Sequence, residues 1–191
     1  MRFFSLPALL AAALVSAVVA LPFLPLAKNQ QDLFRLEARV STNTAGKLQV
    51  FLDAGGGWSE ELSARTTLTA GGVPVTHRLP FAPGRYRALR FDPLDHGGTV
   101  TLHALRLVTK SGRVIADFPL EKFTATQQVE ALRLREGALE ITIASTSNDP
   151  QLGFVFPELI DVSAAWTDYL PGSLRTVALI FIGLADRKSV V

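Results

Sequence analysis

Hydrophobic and polar positions alternate with a period of two along most of the chain after residue 28. In residues 33–40 the even-numbered side chains are apolar, whereas Arg35, Glu37 and Arg39 face the other way. Residues 47–53 repeat this pattern, which is typical of a β-strand with one buried face. The same alternation predicts further strands at residues 62–69, 73–79, 86–91, 99–108, 113–118, 129–135, 139–145 and 151–156.

Turn-forming residues separate these predicted strands. Glycine, proline and asparagine recur between them, as at residues 54–57, 82–84, 95–98 and 148–150. Short strands at regular spacing, each with one polar face, indicate two antiparallel sheets. The fold class predicted for residues 28–157 is therefore an all-β, antiparallel β-sandwich of jelly-roll type.

The first 27 residues have a different pattern. Residues 3–27 contain no ionisable side chain, and Arg2 precedes them. A helix that crosses the hydrocarbon core of a bilayer needs about 20 apolar residues, so residues 1–27 are predicted to be a signal-anchor transmembrane helix. A signal peptide cleaved after Ala20 is the alternative, because small residues occur at suitable spacing there. A buried helix of a soluble protein is disfavoured, since such helices are seldom apolar all round.

A second apolar segment lies near the other end of the chain. Residues 158–175 are predicted to be a connector, beginning as either a short helix or an extended segment, and residues 176–185 to begin a second transmembrane helix. Residues 186–191, Asp-Arg-Lys-Ser-Val-Val, resemble a translated sequencing adapter. The resemblance implies that these six residues are a non-native tail and that the second helix is truncated. A genuine short hydrophobic tail is the alternative.

Composition excludes several classes of function. The chain has 19 Lys and Arg residues against 17 Asp and Glu residues, so charge gives no reason to expect a nucleic-acid partner. The absence of cysteine excludes thiol catalysis and zinc sites built on cysteine. No nucleophile elbow or phosphate-binding loop is present, so no catalytic residue and no cofactor are predicted.

Two segments resemble a known module. Residues 51–61 (FLDAGGGWSEE) and 86–95 (YRALRFDPLD) are similar to a β-sandwich module of bacterial multi-spanning membrane proteins and of glycosyltransferases in surface-polysaccharide assembly. The resemblance covers residues 34–110. It implies a periplasmic accessory domain that handles glycans beside catalytic or transport segments of a longer protein.

The glycine-rich loop at residues 53–61 is the predicted ligand site. Trp58 offers a flat apolar face for a sugar ring, and Asp53, Ser59 and Glu60 offer hydrogen-bonding groups beside it. The structural alternative is a loop in which Trp58 packs on the end of the sandwich. In that case Asp53 and Ser59 hold backbone N–H groups.

A second candidate site follows the strand at residues 86–91. Asp92, Asp95 and His96 supply oxygen and imidazole groups that could bind calcium or zinc. The alternative is a structural turn, because Asp-Pro begins turns well and no EF-hand spacing is present.

These observations predict a bacterial inner-membrane protein whose β-domain lies in the periplasm. Its expected partners are the lipid bilayer and either a glycan or polysaccharide-assembly proteins. The domain is expected to be non-catalytic, whereas a full-length parent could be a glycosyltransferase. The alternatives are a structural or docking domain without a ligand, and a secreted carbohydrate-binding protein with a cleaved signal.

Overall fold

Eleven strands and two single-turn 3₁₀ helices make up the part of the chain that the computed structural model describes, residues 33–164 and residue 168. The 3₁₀ helices are Glu60–Leu62 and Leu120–Lys122. The strands are β1 (Phe34–Thr42), β2 (Gly46–Asp53), β3 (Ser63–Leu68), β4 (Gly71–Phe81), β5 (Gly84–Asp92), β6 (Gly98–Thr109), β7 (Val114–Asp117), β8 (Thr124–Gln127), β9 (Ala131–Arg135), β10 (Ala138–Ile143) and β11 (Gln151–Val162).

The strands form two sheets in which every pairing is antiparallel. The first sheet has the order β4-β1-β6-β10-β9, and β7 pairs with β6 as well. The second sheet has the order β3-β2-β5-β11-β8. The described residues are thus all-β and sandwich-like, which confirms this coarse part of the predicted fold class.

The core is formed by the apolar faces that the alternation predicted. On β1 the even-numbered residues are buried, and on β2 Leu48, Val50 and Leu52 are buried. A cluster of aromatic rings fills another part of the core, with Phe154 lying 5.1 Å from Phe123 and 5.5 Å from Phe118 between ring centroids. Such ring pairs add to the stabilisation that apolar burial provides.

Two elements differ from the sequence-based expectation. Strand β8 was not predicted, because its four side chains are all exposed and show no alternation. Strand β11 continues to Val162, beyond the predicted domain boundary at residue 157, and its pairing with β5 is interrupted between Val155 and Ile160. At this irregularity residues 157–159 are all exposed, so their sequence does not alternate as a half-buried strand does. The sequence left two possibilities for the start of the segment after residue 157, a short helix or an extended chain. The structure shows an extended chain as far as Val162.

The predicted helices at residues 1–27 and 176–185 lie outside the described residues, as does the proposed non-native tail at residues 186–191. Within residues 33–164, no helix has the length and apolar character that crossing a bilayer requires.

Candidate functional site

Asp53 lies at the end of β2 and organises the loop that follows. Its Oδ1 accepts hydrogen bonds from the backbone N–H groups of Gly55 at 2.7 Å and Gly57 at 3.0 Å. Its Oδ2 accepts a bond from Nε of Arg87 at 2.7 Å. The bond from Arg87 and the two backbone bonds hold the pKa of Asp53 below its ordinary value. The carboxylate is buried and fully engaged, so it is a positioning group for the loop, as the structural alternative expected.

Trp58 is the exposed aromatic residue of this loop. The residue is 42% exposed, so part of it is accessible to solvent while the rest is covered by the protein. Two of the glycines before it, Gly55 and Gly57, have φ angles of 111° and 86°, a backbone conformation that glycine adopts without strain. This tight backbone brings the chain around to Trp58.

Ser59 and Glu60 lead into the first 3₁₀ helix. The carbonyl of Ser59 accepts the N–H of Leu62 at 3.2 Å. The pKa of the Glu61 carboxyl is lowered by its own backbone N–H and, to a smaller extent, by the Ser59 hydroxyl. Glu60 turns the other way: its Oε2 accepts bonds from Nε2 of Gln49 at 2.9 Å and from the Ser63 hydroxyl at 3.2 Å. Of the loop residues predicted to bind a ligand, Glu60 therefore reaches the outer face of the second sheet.

A polar groove of about 320 Å³ lies on this outer face, and we call it the second-sheet groove. Three predicted site residues, Glu60, Asp92 and Asp95, line it although Glu60 is distant in sequence from the other two. The antiparallel register explains the convergence, because Gln49 on β2 lies opposite Asp92 on β5. The other lining residues used below are Lys47, Gln49, Phe51, Arg65, Arg90 and Asp149.

Arg90 organises the floor of the second-sheet groove. Its guanidinium lies 4.3 Å from the centroid of the Phe51 ring and donates to both carboxylate oxygens of Asp92, from Nε at 2.8 Å and from Nη2 at 2.6 Å. Asp149 approaches the same Nη2 at 3.6 Å. Burial raises the pKa of Asp92, against the opposing effect of the Arg90 guanidinium, while the bond to Asp92 raises the pKa of Arg90. The result is a rigid array of planar donors and acceptors at the sheet surface.

Asp95 and His96 hold two loops together. Asp95 Oδ1 accepts the backbone N–H of Lys47 at 2.9 Å. Both ring nitrogens of His96 face carbonyl oxygens at 2.7 Å, Nδ1 towards Gly97 and Nε2 towards Ala45. Only the imidazolium has an N–H donor for each of these carbonyl oxygens, and the two contacts therefore raise the pKa of His96.

The predicted metal ligands do not come together as a metal site. Asp92 is bound by Arg90, Asp95 by the Lys47 backbone, and His96 has no ring nitrogen lone pair directed at open space. Within residues 33–164 no group of three His, Cys, Asp or Glu side chains could hold a metal ion. Asp95 and His96 lie in the connection after β5, and Asp92 is the last residue of that strand.

Sequence reasoning did not single out Arg90, Phe51 or Gln49. On β2, Phe51 belongs to the polar face by its alternation, yet it is buried because Arg90 covers its ring from the neighbouring strand. An aromatic residue on the polar face of a strand was the one signal available. The strand that covers it could not be identified from the sequence.

Comparisons with protein-family models, with curated proteins and with solved structures gave no match to this chain. The site is therefore interpreted from its chemistry alone. The second-sheet groove presents paired donors and acceptors, and the adjoining loop carries the exposed Trp58.

Proposed function

We propose that the β-domain is a non-catalytic accessory domain that binds a glycan in the second-sheet groove. The observation that carries the proposal is the Arg90–Asp92 pair, whose guanidinium lies over the Phe51 ring, inside a groove that also presents Gln49 and Glu60. Sugar hydroxyls are both donors and acceptors, so they match a surface on which guanidinium, amide and carboxylate groups are fixed in advance.

The charge of the groove favours an uncharged ligand. Three cationic side chains, Lys47, Arg65 and Arg90, are opposed by four carboxylates in the lining. Because the charges are nearly balanced and several are paired with one another, neither an anion nor a cation gains much Coulomb energy there. A neutral polyol can replace the groove water while leaving these pairs intact.

Trp58 extends the proposed site beyond the groove. It precedes Glu60, a lining residue, by two positions, and its exposed ring offers an apolar face for stacking on a pyranose ring. We assign to Trp58 the stacking contact and to the groove the hydrogen bonds. Asp53 holds the loop and does not contact the ligand.

Binding of glycans to the full-length chain in neutral detergent tests this proposal. A glycan array identifies the ligand, and calorimetric titration measures the dissociation constant. We expect Trp58→Ala to weaken binding about fivefold, because stacking of an aromatic face contributes on the order of 1 kcal/mol. Leu134→Ala is the matched control, because Leu134 is an exposed apolar residue on β9 of the other sheet.

Equal affinities of Trp58→Ala and Leu134→Ala would remove Trp58 from the site. No binding to any bacterial surface glycan would refute the function and favour a structural or docking domain. Gln49→Ala tests the groove in a chain that keeps Trp58, since it removes an amide that lines the groove. We expect it to weaken binding several-fold, as the loss of one hydrogen bond does.

The proposed location of this domain is the periplasm, anchored by residues 1–27 to a bacterial inner membrane, as part of a protein of surface-polysaccharide assembly. The apolar residues 3–27 and the module resemblance of residues 34–110 support this. A tagged chain is expected to pellet with membranes and to resist carbonate extraction. Complete release into the soluble fraction would instead support the secreted form with a cleaved signal.

A further inference from the structure

The outer face of the first sheet carries a groove of different character. It has a volume of about 380 Å³ and is lined by residues of β1, β4, β6 and the hairpin between β6 and β7. We call it the basic groove, because its lining contains four cationic side chains and one carboxylate. The lining residues that carry the inference are Arg35, Glu37, Arg78, Arg106, Val108 and Lys110.

One row of side chains across the basic groove is neutralised by its own members. Glu37 on β1 lies opposite Arg78 on β4 and opposite Arg106 on β6. Its Oε1 accepts a bond from Nε of Arg78 at 2.9 Å, and Arg106 binds Asp117 of β7 through its Nε at 3.2 Å. Positive and negative side chains alternate along this row, so it contributes little net field to the groove.

The adjacent row has no such balance. Arg35 lies between Pro80 and Val108 on the neighbouring strands, so its direct cross-strand neighbours carry no charge. Lys110 is at the same end of the groove, because its backbone N–H bonds to the carbonyl of Leu33 at 2.6 Å. Within residues 33–164 neither Arg35 nor Lys110 forms an ion pair. Among the described residues, two positive charges at one end of the groove are therefore left without an ion-pair partner.

We propose that the basic groove binds a phosphate group through Arg35 and Lys110. A guanidinium presents a planar fork that matches two phosphate oxygens, and a lysine ammonium adds a point charge beside it. The buried side chain of Val108 lies beside Arg35 and supplies an apolar floor, which reduces solvent screening of the contact. The site lies on the opposite sheet from the second-sheet groove and does not depend on the proposed glycan function.

Titration of the full-length chain with inorganic phosphate tests the site. The chain is held in neutral detergent at constant ionic strength, with sodium chloride as the reference anion, and heat of binding is measured by calorimetry. We expect the Arg35→Gln/Lys110→Gln double variant to bind phosphate about tenfold more weakly than the natural chain, since it removes both charge-assisted contacts. Arg35→Lys keeps the charge without the fork, so its affinity should lie between the two.

Lys122→Gln/Arg133→Gln is the matched control, because it removes the same net charge from two exposed positions outside the groove. It should bind phosphate within about twofold of the natural chain. Equal weakening of the control would show a general charge effect and overturn the site. Phosphate heats no larger than those of chloride, combined with no preference in the lipid experiment below, would also overturn it.

A lipid experiment distinguishes the source of the phosphate. The same proteins are placed in neutral micelles that contain either phosphatidylglycerol or phosphatidylcholine, and the midpoint of thermal unfolding is measured. Stabilisation by phosphatidylglycerol that the double variant loses assigns the site to anionic lipid headgroups. Binding of inorganic phosphate without that stabilisation assigns it to a soluble phosphorylated ligand. Trp58→Ala should leave both measurements unchanged, so this site and the glycan proposal fail or succeed separately.

Discussion

Asp53 and Asp92 show how differently two carboxylates of the same sheet are used. Asp53 accepts two backbone N–H bonds and one bond from the half-exposed Arg87, and its pKa is lowered. Asp92 is buried and paired with Arg90, and its burial raises the pKa of the carboxyl group. The first residue therefore fixes a loop, whereas the second belongs to the surface that we propose binds the ligand.

The lowered pKa of Asp53 predicts a pH-dependent stability effect. Because the folded-state pKa lies below the ordinary value of 3.8, the stabilisation is complete above that value and is lost as pH falls through the folded-state pKa. Asp53→Asn keeps an oxygen for the Gly55 and Gly57 N–H groups but loses the ion pair with Arg87. We expect it to lower the free energy of unfolding by about 1 kcal/mol near neutral pH, measured by denaturant titration.

The difference between Asp53→Asn and the natural chain should shrink as pH falls below 3.8 and through the folded-state pKa of Asp53. Asp117→Asn is the control, because Asp117 also pairs with an arginine but its side chain is 64% exposed. Its effect should be within about 0.5 kcal/mol. A larger effect of Asp117→Asn than of Asp53→Asn would contradict the role given to Asp53.

At the scale of elements, the connection between β5 and β6 shapes one end of the second-sheet groove. Asp95 and His96 bind this connection to the turn between β1 and β2. Gly97 lies against the chain after β10: a Cβ atom there would stand 2.5 Å from the Ala144 carbonyl oxygen and 2.5 Å from the Ser145 Cα. Asp95 and His96 thus join this connection to the turn before β2, and Gly97 packs it against the chain after β10.

The close approach at Gly97 predicts a strong effect of one added methyl group. Gly97→Ala forces backbone against backbone, so we expect a loss of about 2–3 kcal/mol in the free energy of unfolding. Gly56→Ala is the matched control, because nothing lies within 4 Å of a Cβ placed there. It should change stability by less than about 0.5 kcal/mol, as other exposed substitutions do. Similar unfolding midpoints for the two variants would refute the close packing of these loops.

At the scale of the whole described domain, stability depends on the apolar layer between the sheets. Phe154 of β11 contacts three other phenylalanines, with the Phe156 ring centroid at 5.4 Å as well as those of Phe118 and Phe123. Phe118 and Phe123 flank the second 3₁₀ helix, which lies between β7 and β8. The cluster therefore ties the irregular segment at residues 118–123 to the second sheet.

Removal of the central ring should destabilise the domain as a whole. Phe154→Ala is expected to lower the free energy of unfolding by about 3–5 kcal/mol, because it removes a buried ring and leaves a cavity. Val155→Ala is the control, because the next side chain on the same strand points outwards and is 77% exposed. Thermal unfolding monitored by circular dichroism measures both. Comparable losses in the two variants would contradict the burial pattern of β11.

The sequence by itself determined the all-β class and the positions of ten of the eleven strands described here. Period-two alternation and turn residues are local properties, so they can be read without knowing which strands pair. Strand β8 could not be predicted, because it depends on pairing with β11 and on a long-range bond rather than on a local pattern. The Thr126 hydroxyl donates that bond to the Gln151 carbonyl at 3.0 Å.

Tertiary structure alone decided the composition of both grooves. Arg90 lies opposite Phe51, and Glu37 lies between Arg78 and Arg106, only because strands distant in sequence are neighbours in a sheet. Register also decides which charges are paired, and burial decides whether a carboxylate such as Asp53 is available to a ligand. These are long-range properties. The sequence alone could therefore not show that Asp53 anchors a loop, whereas Glu60 and Asp92 line a groove.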